Sequence, residues 1–251
     1  MGEVVAGSEA RGTLGTVRNA VLLLELLSEG QAHQQLTDLA ERSGLSVPTV
    51  HRLLRSLVLA DLVEQDYRSA RYGLGPGVTR LSHRYLARLP ILSGLSPYLL
   101  PLRDAIGATV QVAVLVRGSV VYVDQVDGAG GGIYRDSHRV TGALSTAAGR
   151  VLAAAADEEA WRQLTAAAAP ADRKIAEAER GSWRAAAYLV TPGGGAAGPG
   201  EVAVPVLDSQ GRVLAALAAT LPPGAPPGQA EQTAEHLSRT ALAAGRAVGH
   251  G

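Results

Sequence analysis

Apolar residues between positions 46 and 59 recur in a pattern that predicts an amphipathic helix. Ser46 can cap its amino end, and Pro48 is tolerated in a first turn whose amide protons have no helical acceptor. Polar and cationic residues occupy the other side of the helix. The apolar face is defined by residues at the spacing of helical turns, namely Val50, Leu53, Leu54, Leu57 and Val58.

A shorter helical pattern over residues 36 to 43 comes immediately before this helix, and Gly44 ends it. A short helix, a tight turn and a capped second helix have the spacing of a helix-turn-helix motif, whose second helix enters the DNA major groove by its amino-terminal part. Residues 42 to 60 contain three arginines and no acidic residue. An ordinary helical hairpin with a solvated basic face would have the same pattern.

Two short strand patterns, residues 62 to 65 and 71 to 74, flank a polar turn directly after this helix. A strand pair in this position is typical of the wing of a winged helix, which would place Arg68 and Arg71 beside DNA phosphates or the minor groove. The alternative is an ordinary surface hairpin. A linker helix is predicted over residues 78 to 89, and an earlier helix over residues 16 to 27 has a broad apolar stripe that could contact a second subunit.

The remainder of the chain mixes helices with antiparallel hairpins, which predicts an α+β domain. One hairpin joins residues 109 to 116 and 119 to 126 through the turn Arg117-Gly118, and a second joins residues 202 to 207 and 213 to 221. A short strand is expected at residues 133 to 135. Helices are predicted over residues 92 to 106, 144 to 156, 157 to 169, 170 to 180 and 229 to 248.

Composition restricts the classes of function. The 251 residues have a formal net charge of zero, so any nucleic-acid contact must come from a local basic patch. The chain contains no cysteine, its six histidines lack metal-ligand spacing, and no nucleophile elbow is present. We therefore expect no catalytic residue, no metal and no cofactor. Without a signal peptide or a long apolar run, a cytoplasmic protein with no membrane contact is expected.

The order of these segments resembles the IclR family of transcriptional regulators. The resemblance rests on PTVHRLL at positions 48 to 54, RYGLG at 71 to 75 and LSTAAGR at 144 to 150. It implies an α+β protein with an amino-terminal winged helix-turn-helix, a linker helix and a GAF-like effector-binding domain, acting as a dimer or tetramer. The corresponding boundaries are a disordered tail at 1–13, a DNA-binding domain at 14–75, a linker at 76–90 and an effector domain at 91–251.

The resemblance implies that the chain is a ligand-responsive regulator that binds double-stranded operator DNA. Thr49, His51 and Arg52 are expected to face the groove, whereas Arg55 is expected to contact phosphate together with the wing arginines. The rival interpretations are a small-molecule-binding protein whose helix-turn-helix serves only dimerisation and, more remotely, an enzyme. The predicted DNA-binding residues are Ser46, Pro48, Thr49, His51, Arg52, Arg55, Arg68 and Arg71.

An effector site is expected where the LSTAAGR segment opens a helix, because amide groups at a helix amino end can hold a carboxylate. The other interpretation is that Ser145 caps the helix and the small residues permit close packing. Leu144 and the glycine run 193–195 replace polar residues frequent in the family, which favours a larger, partly apolar effector such as an aromatic acid. The predicted effector-binding residues are Leu144, Ser145, Thr146, Ala147, Gly149, Glu201, Ala203, Ala218 and Thr220.

Overall fold

The chain divides into two compact units, Met1–Leu86 and Ala87–Gly251. The computed structural model describes residues 3–128, 140–192, 200–222, 225–226 and 228–248. The boundary between the units falls inside the segment 76–90 that the sequence predicts as a linker. The short strand predicted at residues 133 to 135 lies outside the described residues.

The first unit is a three-helix arrangement followed by a strand pair and a fourth helix. A left-handed Gly44, with φ of 68°, ends the second helix and turns the chain into the third. The first helix begins at Glu3, so residues 3 to 13 are helical where a disordered tail is predicted. Alanine, glutamate and arginine in this segment favour continuation of the helix. The elements are α1 Glu3–Ser28, α2 Leu36–Ser43, α3 Val47–Leu59, β1 Val63–Gln65, β2 Tyr72–Leu74 and α4 Pro76–Leu86.

The core of the first unit confirms the apolar face predicted for the helix at residues 46 to 59. Four of its five apolar residues are buried, and Val58 packs partly buried against them. The strands β1 and β2 pair antiparallel, with Val63 opposite Leu74. Together these elements form the predicted helix-turn-helix and wing. Their shared core consists of Leu23, Leu27, Leu39, Ala40, Val50, Leu53, Leu54, Leu57, Val63 and Tyr72.

The second unit is built on a six-stranded antiparallel sheet with the strand order β5-β4-β3-β8-β7-β6. Both predicted hairpins are present, and the pattern did not reveal the three-residue edge strands β5 and β6. The strands are β3 Val110–Val116, β4 Ser119–Val126, β5 Val140–Gly142, β6 Leu189–Thr191, β7 Gly200–Leu207 and β8 Val213–Leu221; the helices are α5 Pro90–Ile106, α6 Ala147–Ala155, α7 Glu158–Ala167, α8 Pro170–Ala185 and α9 Gln229–Val248.

Helix α6 lies very close to one face of this sheet because both surfaces are made of small residues. Ala113, Ala203, Ala216 and Ala218 on the sheet are fully buried in one cluster with residues of α6. Within α6, Gly149 also lets the preceding turn approach the helix closely, because an added Cβ would lie 2.1 Å from the backbone oxygen of Ala143. The small residues of LSTAAGR therefore permit close packing, which is one of the two interpretations drawn from the sequence.

Stacked arginine and tryptophan side chains pack α7 and α8 against α6. The Trp161 and Trp183 rings meet edge to face with centroids 6.5 Å apart. The guanidinium of Arg150 lies 5.1 Å from the Trp183 ring centroid, and that of Arg180 lies 4.3 Å from the Trp161 ring centroid. Arg150 also donates to the backbone oxygen of Leu144, so the arginine of LSTAAGR stabilises the packing of this layer.

Within the described ranges, no helix has both the length and the apolarity that a span across a bilayer needs.

Candidate functional site

The solvent-facing side of α3 carries the predicted DNA-contacting residues. His51, Arg52 and Arg55 are exposed, whereas the opposite side of the helix is buried in the core. Neither the Arg52 nor the Arg55 guanidinium forms a hydrogen bond or ion pair with any residue that the structure describes. Both cations are therefore available to an anion outside the protein.

The amino end of α3 is shaped by Ser46, Pro48 and Thr49. Ser46 occupies the cap position, but its side chain does not bond to a helix amide. Its Oγ instead lies 2.9 Å from the Thr49 Oγ1. The predicted cap is thus correct in position and different in its bonding, and the two hydroxyl groups form a polar pair at the end of the helix beside exposed Pro48.

Arg42, the third arginine of the basic segment, has a structural role. Its guanidinium donates to Gln34 Oε1 at 2.6 Å and to Glu29 Oε2 at 2.8 Å. These bonds tie α2 to the loop that follows α1. The local arginine excess therefore overstates the number of cations free to contact DNA.

The wing turn is organised by Asp66. Its carboxylate accepts hydrogen bonds from the Ser69 hydroxyl at 2.5 Å, from the Ser69 amide at 3.1 Å and from the Arg68 amide at 3.2 Å. The Ser69 hydroxyl, followed by the Arg68 amide, holds the pKa of Asp66 below its ordinary value. The turn is thus braced by a carboxylate that is charged at neutral pH.

Two wing arginines have different surroundings. Arg68 is exposed, lies 5.5 Å from the Tyr67 ring centroid and donates to the Tyr67 hydroxyl at 2.9 Å. Arg71 is half-buried and its guanidinium lies 3.5 Å from Gln31 Oε1. The sequence did not single out Tyr67, whose side chain is 84% exposed at the tip of the wing. A tyrosine within the polar turn between the two strand patterns was the sequence signal that could have identified this position.

Replacing Asp66 by alanine should loosen the wing and lower DNA affinity by about three- to fivefold, because the turn loses its acceptors. The pKa of Asp66 is lowered in the folded state. The stabilisation from its hydrogen bonds is therefore fully present at pH values above the ordinary pKa of an aspartate, and it is lost as the pH falls through the lowered pKa. Hydrogen exchange of the Arg68 and Ser69 amides should accelerate. Asp172→Ala, which removes one negative charge from the second unit, should change neither DNA affinity nor this hydrogen exchange. If it had the same effects as Asp66→Ala, the role of Asp66 in the wing turn would be contradicted.

Glu201 is the most informative residue of the predicted effector set. It lies on β7 and is only 4% exposed. Its Oε2 accepts from the Ala148 amide in the first turn of α6 at 2.9 Å, and its Oε1 accepts from the Tyr122 hydroxyl at 2.6 Å. An internal carboxylate therefore occupies the helix end that the sequence assigns to the effector's carboxylate, and that expectation is corrected.

The remaining polar groups of LSTAAGR also serve the protein itself. Thr146, and not Ser145, is the cap, and its Oγ1 accepts from the Gly149 amide at 3.1 Å. Ser145 is exposed and donates to the backbone oxygen of Gly142 at 2.8 Å. Leu144 is buried in the core beside Ala147. These residues build the start of α6: the Ser145 hydroxyl proton is used by the Gly142 oxygen, and the Thr146 oxygen caps the helix.

The sheet face beneath α6 brings together the other predicted residues. Across the sheet, Gln111 pairs with Ala218, and Ala218 pairs with Ala203. Two residue pairs further along, Glu201 lies opposite Thr220, with both side chains on the same face as Ala203 and Ala218. Glu201, Ala203, Ala218 and Thr220 therefore lie on one face of the sheet.

Sequence reasoning missed two buried residues of this surface. Tyr122 is fully buried and bonded to Glu201, and Gln111 is buried with its amide donating to Gln125 Oε1 at 2.7 Å. A glutamine inside the apolar run of β3 was the signal that could have identified this position. Among the described residues, no group of His, Cys, Asp or Glu could hold a metal ion. His138 and the glycine run 193–195 lie outside those residues.

Family comparisons cover nearly the whole chain. The IclR helix-turn-helix domain matches residues 16–67, and the carboxy-terminal domain of the bacterial transcriptional regulator IclR matches residues 83–246. The regulator XynR of Escherichia coli K12 is 27% identical over 245 residues, covering 94% of this chain and 97% of XynR.

Solved structures show the same fold. An IclR regulator from Silicibacter sp. TM1040 is 27% identical with a TM-score of 0.81, covering 93% of this chain and 96% of its own. An IclR regulator from Alicyclobacillus acidocaldarius is 26% identical with a TM-score of 0.75, covering 94% and 99%.

The helix-turn-helix and the α+β domain thus define a DNA-binding, effector-responsive regulator. The chain belongs to the IclR family of transcriptional regulators, so it is a regulator and not an enzyme.

Proposed function

We propose that this regulator binds operator DNA as a homodimer or homotetramer with α3 in the major groove. Thr49, His51 and Arg52 face base edges, and Arg55 contacts phosphate beside them. The wing arginines Arg68 and Arg71 contact flanking phosphate, and Ser46 and Pro48 place the amino end of α3. The contacts to phosphate supply affinity that depends on salt, whereas the contacts to bases supply sequence preference.

The observation that carries this proposal is the division of α3 into two faces. One face is buried in the core, and the other presents Arg52 and Arg55 without an internal partner among the described residues. A helix used only for dimerisation would present an apolar outer face. Two cations on a helix that ends a helix-turn-helix fit a polyanionic groove instead.

Oligomerisation is supported by apolar side chains exposed in the first unit. Leu81 and Tyr85 are four residues apart on α4, so they share one face, and Val17 is exposed on α1. Exposed large apolar groups on neighbouring turns are better covered by a second subunit than by water. Two helix-turn-helix units would then read two half-sites of one operator.

The effector of this proposal is a small, partly apolar organic molecule bound in the second unit near the start of α6 and strands β7 and β8. Ala147, Ala203 and Ala218 are the apolar, fully buried members of the predicted set, and Glu201 and Thr220 are polar members. If the effector binds one arrangement of the subunits more tightly than another, it shifts the population toward that arrangement. Operator affinity can then change by at most the ratio of the effector's affinities for the two arrangements. Such coupling is typically about 1 to 3 kcal/mol.

Salt-dependent binding of the DNA upstream of the gene tests this function. Arg55, Arg68 and Arg71 from two subunits make six phosphate contacts, so log K should fall with log salt at a slope of about −5. Fluorescence anisotropy would measure the slope, with a scrambled duplex as the reference. If the upstream DNA binds no more tightly than the scrambled duplex, the helix-turn-helix is a dimerisation element and the proposal fails.

A further inference from the structure

The turn of the wing exposes an aromatic side chain that the fold does not use. Tyr67 lies between β1 and β2, its side chain is 84% exposed, and it is not part of the apolar core of the first unit. Single exposed apolar side chains are common on protein surfaces, so the surroundings of Tyr67 decide whether it has a role.

Hydrogen bonds hold the turn that carries Tyr67 at both of its ends. The Asp66 amide donates to the backbone oxygen of Arg71 at 2.9 Å, and the Ala70 amide donates to the backbone oxygen of Asp66 at 2.8 Å. The Asp66 carboxylate also accepts from the Arg68 amide. Because the backbone is fixed in this way, only side-chain freedom is lost when Tyr67 and Arg68 bind a partner.

The hydrogen bond between Tyr67 and Arg68 determines where the phenol proton can go. A guanidinium group only donates, so Arg68 Nε donates to the phenol oxygen across the 2.9 Å between them. The phenol proton therefore points away from this guanidinium and is available to an acceptor outside the turn. The Nη1 and Nη2 groups of Arg68 likewise form no hydrogen bond or ion pair with any residue that the structure describes.

Other charged side chains of the hairpin have partners within the protein. Glu64 Oε1 lies 3.2 Å from His33 Nε2, and the Arg71 guanidinium lies 3.5 Å from Gln31 Oε1. The aspartate of the turn is bonded to the turn itself. Arg68 thus combines a positive charge and unused N–H donors with the neighbouring phenol O–H. Such a set of donors binds an anion, and the anion repeated along a DNA duplex is phosphate.

We infer that Tyr67 and Arg68 bind one backbone phosphate of the operator together, with the phenol hydroxyl and the guanidinium each donating to it. Tyr67 also orients Arg68 by accepting from its Nε. This inference rests on the proposed function, which assigns a phosphate contact to Arg68, and it adds Tyr67 as a second donor to the same phosphate. A neutral donor adds affinity without releasing a counterion, whereas Arg68 contributes to the salt dependence of binding.

Removing the phenol hydroxyl tests this contact in the full chain. Tyr67→Phe keeps the ring beside Arg68 and removes one donor, so affinity for the upstream DNA should fall about three- to tenfold. The slope of log K against log salt should stay unchanged. Arg68→Ala removes a charge and should make that slope shallower by about 2 units in a dimer. Fluorescence anisotropy measures both quantities.

Tyr98→Phe is the matched control for Tyr67→Phe. Tyr98 is 40% exposed on α5 of the second unit, and its hydroxyl is lost by the same substitution. Its affinity and salt slope should equal those of the natural chain. Thermal unfolding should show the same stability for both variants, because neither side chain is buried. If Tyr67→Phe bound DNA as tightly as the natural chain, the inference would be overturned.

Duplexes with one neutral phosphate test whether the two side chains share a contact. Methylphosphonate groups replace the phosphates of the upstream DNA one at a time on each strand. At the position that the wing contacts, the natural chain should lose affinity, and both Tyr67→Phe and Arg68→Ala should lose less. At other positions the variants and the natural chain should lose equally. If the two variants responded at different positions, or at none, the shared contact would be refuted.

Failure of this inference can be distinguished from failure of the proposed function. If the upstream DNA is preferred over the scrambled duplex and Tyr67→Phe binds like the natural chain, only the phenol contact is wrong. If neither duplex is preferred but Tyr67→Phe weakens binding to both at low salt, the operator assignment fails and the wing contact stands. If neither duplex binds at low salt, both are wrong.

Discussion

Replacing Gly149 by alanine is expected to lower the free energy of unfolding of the second unit by about 2 to 3 kcal/mol. The added Cβ would lie 2.1 Å from the backbone oxygen of Ala143, and no flexible side chain can move to relieve that contact. The turn at Ala143 and the start of α6 would have to move apart, which would strain the Glu201 contact to Ala148. Urea unfolding followed by tryptophan fluorescence measures the loss, because both tryptophans of the chain, Trp161 and Trp183, lie in this unit.

Gly181→Ala is the matched control for this substitution. Gly181 is exposed within α8, and nothing lies within 4 Å of a Cβ placed there. Alanine should stabilise this helix by about 0.5 to 1 kcal/mol, since it lowers the entropy of the unfolded chain and has the higher helix propensity. If the two variants shifted stability in the same direction, close packing of α6 would not be the reason for Gly149.

The double substitution Arg52→Ala and Arg55→Ala should weaken operator binding by about 100-fold and leave folding intact. A base-contacting arginine contributes about 1 to 3 kcal/mol to recognition, and a phosphate contact adds further affinity. Both side chains are exposed and make no internal bond among the described residues, so their removal costs little stability. Anisotropy titration of the upstream DNA measures the affinity, and thermal unfolding verifies the fold.

Arg162→Ala with Arg239→Ala provides the same change of net charge in the second unit. Both arginines are exposed, one on α7 and the other on α9. Operator affinity should stay within about twofold of the natural chain, because neither side chain is part of the helix-turn-helix. An equal loss in both double variants would mean that overall charge, and not the α3 surface, determines binding.

Elements with strong periodicity were predictable from the sequence. The apolar face of α3 follows the helical repeat. Strands β3 and β4 are β-rich runs joined by a two-residue turn, Arg117 and Gly118, with positive φ angles of 45° and 87°. The short edge strands β5 and β6 have three residues each, too few to establish a repeat. Their existence depends on pairing with β4 and β7, which are distant along the chain.

The residues predicted for the effector site on β7 and β8 share one sheet face, whereas the helix amide predicted to hold an effector carboxylate is bonded to Glu201. Ala203, Ala218 and Thr220 share one face because strand alternation fixes it. The capture of α6 by Glu201 depends on a contact across 53 residues of sequence, which no local pattern contains. The ion pair of Arg42 with Glu29, 13 residues before it, is likewise absent from any local pattern. Local chemistry identifies polar groups, whereas tertiary contacts decide which of them are free.

The salt dependence of operator binding by the natural chain and the Arg52→Ala/Arg55→Ala variant tests the central claim most directly, namely that the exposed side of α3 contacts DNA. If each subunit of a dimer loses one phosphate contact at Arg55, the slope of log K against log salt should become shallower by about 2 units. The control with Arg162 and Arg239 replaced should retain the natural slope. Parallel lines for the natural chain and the α3 variant, with equal affinity, would contradict the account.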